Sequence, residues 1–262
     1  MASIKVAHLG EVVGRSGRKA LFNFLSNFEE QDFLLLNAEN AAGGFGLTPR
    51  VAEEFFSWGI DCLTLGNHAW SKKEGVEIIA NDPRILRPAN YPSGVPGRGA
   101  NIFNTKKGVK IGVINLMGRI FMEPLDSPFS VGERIVEEMR KETPIIIVDF
   151  HAEATSEKEA LANFLDGKVS AVIGTHTHVQ TADERLLPGG TAFITDIGMT
   201  GPINSIIGVK KEQVLHRFLH STPTKFEVAE GPAVVCVLFM EIDAESGKAV
   251  SLKRVRVCPS DE

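Results

Sequence analysis

The sequence predicts an α/β fold in which two packed β-sheets are flanked by helices, and three observations lead there. Short apolar runs that stop abruptly at polar residues alternate with stretches of helical periodicity as far as residue 178. Beyond that point the pattern turns β-rich: residues 233–242 and 250–257 read as a strand pair across Glu245-Ser246-Gly247. Four of the earlier runs also end in side chains of metal-ligand type, and in α/β sheets functional groups gather at the carboxyl ends of strands. Groups spread from residue 11 to residue 178 must then converge, so residues 1–262 read as one domain, without internal repeat or low-complexity linker.

The elements follow in order. Ile4-Lys5-Val6-Ala7-His8-Leu9-Gly10 is a first strand, and His8 within it reads as a core histidine. Residues 16–30 place Leu21, Phe22, Phe24, Leu25 and Phe28 on one side of a helix. Arg15 and Arg18 there read either as positive charge near the first strand end or as solvated charges on the helix. Residues 32–40 form an apolar strand that delivers a carboxylate and a carboxamide side by side, Glu39-Asn40. Thr48-Pro49 opens a capped helix over 50–58, with proline in its first turn, where a missing N–H is no loss. Residues 61–68 are a strand ending in Asn67-His68 behind Gly66, and residues 100–105 and 109–116 a hairpin across Lys106-Lys107-Gly108. Helices are predicted over 129–141 and 157–165. Residues 144–151 are a strand ending in His151, with Asp149 two residues earlier, and residues 171–178 one ending in Gly174-Thr175-His176-Thr177-His178. After a strand over 191–196, residues 198–205 are too irregular for an element and read as a loop, either covering substrate or crossing over. Asp196 at its base either supports the ligands or caps the strand.

Taken singly, each strand end also reads as a turn or a cap, since Asn and Gly favour such positions. Taken together, they set imidazole beside carboxylate and carboxamide oxygen with no thiolate, a donor set that suits Zn, Fe or Mn rather than Ca or Mg. Glu39, Asn40, Asn67, His151, His176 and His178 are too many for one four-coordinate ion with an open position. Two ions about 3.5–4 Å apart, sharing a carboxylate, would use them all and would clamp a phosphate.

Bulk properties set limits. A net charge of −5, from 28 Lys+Arg against 33 Asp+Glu, comes with no basic block to track a long phosphate backbone, which excludes large nucleic acid and leaves a small nucleotide as partner. The longest apolar stretch, residues 233–240, is far short of the ~18 residues that span a bilayer, so no membrane partner is expected. Met1-Ala2-Ser3-Ile4-Lys5 shows no apolar leader, and Cys62, Cys236 and Cys258 lack C-x-x-C spacing. Buried reduced thiols and a cytoplasmic location are the expectation. Self-association is compatible with the sequence.

The ordered set Gly10-Glu11, Asn37-Ala38-Glu39-Asn40, Gly66-Asn67-His68, Asp149-Phe150-His151 and Gly174-Thr175-His176-Thr177-His178 resembles the calcineurin-like metallophosphoesterases, and most of all their YmdB-type bacterial branch. Val12-Val13-Gly14-Arg15, residues 151–158, Gly198-Met199-Thr200-Gly201-Pro202, Arg217-Phe218-Leu219 and Phe226-Glu227-Val228-Ala229 extend the likeness over nearly the whole chain. The resemblance implies a four-layer sandwich and a phosphodiesterase with two metal ions, usually iron or manganese, acting on small cyclic nucleotides, 2′,3′-cyclic ones above all. It implies that Glu39 bridges the ions, that the first ion also takes Glu11, Asn40 and His178, and that the second takes Asn67, His151 and His176. The nucleophile would be a metal-bridging hydroxide, and His68 a non-ligand that donates to the departing alkoxide. Asp149 stands as a group supporting a ligating histidine.

One residue departs from the branch. Glu11 stands where its members have aspartate, and glutamate reaches about 1.5 Å further. Weaker occupancy or an altered metal preference at the first position is expected. Two alternatives follow: a phosphomonoesterase or phosphoprotein phosphatase using the same ions, and a nucleotide-binding regulator whose chemistry Glu11 impairs. Retention of His68 favours catalysis.

Overall fold

The computed structural model describes residues 3–258, so Met1 and Ala2 of the leader reading lie outside the described residues. With elements numbered along the chain, the first sheet contains β1 (Ser3–Leu9), β2 (Glu11–Val12), β3 (Phe33–Asn37), β4 (Cys62–Thr64) and β5 (Ile85–Leu86). It is completed by β12 (Met199–Pro202), β13 (Ala233–Asp243) and β14 (Ala249–Val257). Its order is β2-β12-β13-β1-β3-β4-β5, with β14 paired to β13. The second sheet holds β6 (Ala100–Asn104), β7 (Lys110–Met117), β8 (Ile146–His151), β9 (Ala171–Thr175), β10 (Arg185–Leu186) and β11 (Ala192–Ile194), in the order β10-β11-β9-β8-β7-β6.

The sheets stack face to face because their strands are apolar on both sides. Ile4, Val6, Phe33 and Leu35 of the first meet Ile111, Val113, Ile147 and Ile173 of the second in one buried cluster. The intervening residues point outward and are covered in turn, as parallel strands require. Leu34, Leu36 and Leu63 lie in a cluster with residues of α1 (Gly14–Leu25), α2 (Pro49–Ser57) and α3 (Gly75–Asn81). Ile146, Val148 and Val172 lie with residues of α4 (Pro128–Met139) and α5 (Thr155–Phe164). The result is helix, sheet, sheet, helix, as the sequence predicts. Thr48 caps α2 by accepting from the Val51 N–H at 3.4 Å, and the β6–β7 hairpin turns through Gly108 at φ 75°.

Three differences have physical reasons. Residues 199–202, read as loop, form β12, which pairs parallel with β2 and antiparallel with β13. The strand is too short to show alternation, and Pro202 is tolerated at its end. α6 (Lys211–His220) is a helix within the stretch read as more β-rich, and it buries only Val214. Cys62 and Cys236 are buried as expected, but Cys258 is exposed.

Candidate metal centre

Each group singled out at a strand end arrives at one crevice between the two sheets. β3 leads to Glu39 and Asn40, β4 to Asn67 and His68, β8 ends in His151, and β9 leads to His176 and His178. Glu11 begins β2, held beside Met199 of β12.

Two subgroups form. In one, His151 Nε2 lies 3.0 Å from Glu39 Oε1, 2.9 Å from Asn67 Oδ1 and 3.0 Å from His176 Nδ1. In the other, His178 Nε2 lies 2.9 Å from Glu11 Oε1 and 3.3 Å from the Asn40 amide, which itself rests against Glu11 Oε1. Glu39, Asn40, Glu11 and His151 are buried, and the two histidines of the turn are partly so. His68 stands at the rim, Nδ1 3.3 Å from Ser71 Oγ, its ring edge-on to Phe45 at 4.9 Å. Its backbone N–H donates to Glu39 Oε2 at 3.2 Å.

The outer nitrogens decide what faces inward. Thr175 Oγ1 lies 2.7 Å from Asp149 Oδ1 and donates its one proton there, so it accepts from His151 Nδ1 at 3.1 Å. His178 Nδ1 donates to the Ile207 carbonyl at 2.8 Å, and His176 Nε2 pairs with Glu153 at 3.1 Å. All three imidazoles therefore turn a bare lone pair toward the crevice, the tautomer that partners of ligating histidines impose. At the first subgroup, His151 Nε2, His176 Nδ1, Asn67 Oδ1 and Glu39 Oε1 converge as acceptors with no hydrogen among them, and Glu39 Oε1 has no hydrogen-bond donor. Asn40 Oδ1 is likewise buried without a partner while its NH₂ is crowded, and the exchanged amide orientation sends the oxygen toward Glu11 and His178. A proton satisfies one such contact, whereas a cation satisfies them all. Glu39, His151 and His176 alone form a group able to hold an ion.

Without a cation, the carboxylates instead favour protons on two of these imidazoles, His178 and His151. Burial pushes the Glu11 carboxyl up, but His178, His151 and His176 outweigh it and bring it to about 2. Burial lowers the His178 imidazole, yet Glu11 beside it holds it up at about 9, while burial and the charge of His151 take His176 down to about 3. Burial likewise opposes charge on His151, and Glu39 overcomes it and raises the group.

Two local features seat these groups. Gly66 has no Cβ, and one built there would overlap Glu39 Oε2 and His151 Nε2, so the glycine is what lets β4 turn past both. His176 and His178 have φ of 97° and 65°, a conformation that costs a non-glycine residue energy. Asp196 holds that turn by accepting from Thr177 N at 3.0 Å, Thr177 Oγ1 at 2.7 Å and Gly198 N at 2.8 Å. It is paired with Lys158 Nζ at 2.8 Å, both side chains being buried. Asp196 thus supports the histidine turn.

Three further expectations resolve here. Asp149 supports His151, but through Thr175. It also takes Thr64 Oγ1 and Asn37 Nδ2 and lies 3.5 Å from His8, so the core histidine belongs to a buried polar network under the crevice. Sequence reasoning missed Thr64 and Thr175 because their roles depend on the register of neighbouring strands. Arg18 binds the Ala41 carbonyl at 2.6 Å and Glu54 at 3.1 Å, and Arg15 is exposed, so Arg18 serves as a brace for the loop after Asn40.

Stacked sheets with carboxylate, carboxamide and imidazole groups gathered at the ends of their parallel strands define the class of metal-dependent phosphoester hydrolases. Within it the chain belongs to the YmdB-like family, whose model matches residues 8–255. It is 44% identical over 257 residues to a 2′,3′-cyclic-nucleotide 2′-phosphodiesterase of Bacillus subtilis, covering 97% of each chain. Among solved structures, a hypothetical protein from Thermus thermophilus superposes with TM-score 0.90 at 40% identity, covering 97% of this chain and 99% of that one. A phosphatase of Mycoplasma pneumoniae superposes with TM-score 0.92 at 35% identity, covering 98% and 94%. The chain is a hydrolytic phosphoesterase of that family.

Proposed function

We propose that this chain is a phosphodiesterase that hydrolyses 2′,3′-cyclic nucleotides with two bound metal ions, iron or manganese in preference to zinc, as one domain over residues 1–262. The observation that carries the reading is the convergence of carboxylate, carboxamide and imidazole groups from both sheets, together with likeness to a relative named for that reaction. As the resemblance implies, Glu39 would serve both ions; Glu11, Asn40 and His178 would hold the first, and Asn67, His151 and His176 the second. When bound, the ions neutralise the phosphate and supply a nucleophilic water at neutral pH.

The chain's own groups do the rest. Asn40 and Asn67 contribute neutral oxygens and so leave the site positive enough to hold a dianionic transition state. His68 stands at the rim, where its imidazole delivers a proton to the departing 2′-oxygen as the P–O bond breaks. Such help is worth about 10²–10⁴-fold. Unpaired Cys62 and Cys236 favour the cytoplasm, and no helix among the described residues is long and apolar enough to cross a membrane.

The test strips the metal, restores Mn²⁺ or Fe²⁺ and follows 2′,3′-cyclic AMP beside His68→Ala. Turnover should require the metal and fall about 10²–10⁴-fold in the variant, with metal content unchanged. Nucleotide binding without turnover under either metal would replace this reading with the regulator.

A further inference from the structure

One cavity of about 510 Å³ is lined both by Glu39, Asn40, His68, His176 and His178 and by apolar side chains. Its apolar lining is Ile206, Ile207, Val209, Val214, Phe218 and Phe226, contributed by α6 and the segments on either side, and it adjoins the cluster where the Ile207 carbonyl accepts from His178 Nδ1. Two charged residues from the same segments, Arg217 and Glu227, also line it. Glu227 is paired with Lys210 at 2.6 Å, and the Arg217 guanidinium lies over the Phe226 ring, 5.4 Å from its centroid. The side chains of this wall are poor candidates for holding the fold: Phe218 is 76% exposed and α6 buries only Val214. An aromatic side chain exposed inside a concavity that opens on a catalytic cluster is placed to meet a ligand.

Resting on the phosphodiesterase reading, we propose that this wall is the nucleobase subsite, and that it takes the base by stacking with little choice among bases. A nucleoside 2′,3′-cyclic phosphate is anionic at one end, flat and apolar-faced at the other, with ribose between. The cavity likewise brings the donor cluster and an apolar lining into one space, and its volume lies within the ~300–1,000 Å³ of small-molecule sites. Selection of one base needs a matched set of donors and acceptors on its edge. Here Glu227 is already paired and Arg217 lies flat over an aromatic ring, where it extends a stacking surface. Stacking tolerates every base because each has a π-face, and one base on one aromatic ring strengthens binding about 5- to 150-fold.

The experiment compares metal-loaded protein on 2′,3′-cyclic AMP, its cyclic GMP, CMP and UMP counterparts, and methyl β-D-riboside 2,3-cyclic phosphate, which keeps sugar and cyclic phosphate but lacks a base. Adenosine is titrated calorimetrically as a readout independent of turnover. The nucleotides should exceed the riboside in kcat/KM by about 10- to 100-fold, mostly through KM, and should differ among themselves by less than that. Phe218→Ala, and separately Phe226→Ala, should shrink the nucleotide-to-riboside ratio at least about 5-fold and weaken adenosine binding in parallel. Equal use of nucleotide and riboside overturns the subsite and leaves the phosphodiesterase reading standing. So does an unchanged ratio in both variants, or a Phe218→Ala protein that alters only the sedimenting mass, which would make α6 a contact between copies of the chain. Turnover of none of the compounds overturns the function and the subsite together.

Discussion

A single methylene separates Glu11 from the aspartate that the resemblance implies at this position, and the crevice shows where that methylene goes. The longer arm brings Oε1 to 2.9 Å from His178 Nε2 and against the Asn40 amide, while Oε2 accepts from the His176 N–H at 3.2 Å. The carboxylate fills the space between the groups assigned to the first ion. Aspartate would withdraw it by about 1.5 Å. Glu11→Asp is therefore expected to raise metal retained after dialysis, read by elemental analysis, and turnover with it; no rise in either counts against weak occupancy at that position. The ligand-type residues were legible in the sequence because each closes an apolar run, so the end of the strand also locates the side chain. His8, Thr64 and Thr175 gave no comparable signal. Their meeting at Asp149 depends on pairings such as His151 with Thr175, which only the assembled sheet sets.

Turns set the geometry as firmly as ligands do. At Gly66 any Cβ collides with Glu39 and His151 at once, so Gly66→Ala must displace one of them. Overpacking of this kind costs about 1–3 kcal/mol. The variant should stay folded by circular dichroism yet lose metal at least about 10-fold more readily on chelator titration, with activity falling alongside. Lys158 acts from further back. Lys158→Met leaves Asp196 charged, buried and without its cation, a change that costs about 3–5 kcal/mol and should appear as a lower urea midpoint. The elements hardest to read were one too short for a period and one whose apolar positions stay outside the core. β12 is four residues buried between β2 and β13, and α6 shows its apolar Leu215, Phe218 and Leu219 to the outside, so its pattern does not report a core.

Across the whole molecule, the crevice ties the two sheets at one end, so whatever binds there stabilises both. Ligand binding to the native state alone contributes about 2.7 kcal/mol at a concentration 100 times Kd. For a chain of this size that is roughly 5–10 °C of melting temperature per site. Chelation should lower Tm by at least that much in one cooperative transition. Two separate transitions, only one of them metal-dependent, would show that the sheets unfold independently.

The strand order also dictates when the site can exist. β1 lies between β3 and β13, and its register runs from Ser3 opposite Asp243 to Leu9 opposite Val237. β2, which carries Glu11, is paired with β12. On the ribosome, at about 5–20 residues per second, β13 follows β1 by roughly 10–50 s. Throughout that interval the nascent chain shows one side of its first strand unpaired and Glu11 unanchored. The group around Glu11 is thereby completed late, and a ribosome stalled before residue 243 leaves a product that cannot finish its central sheet.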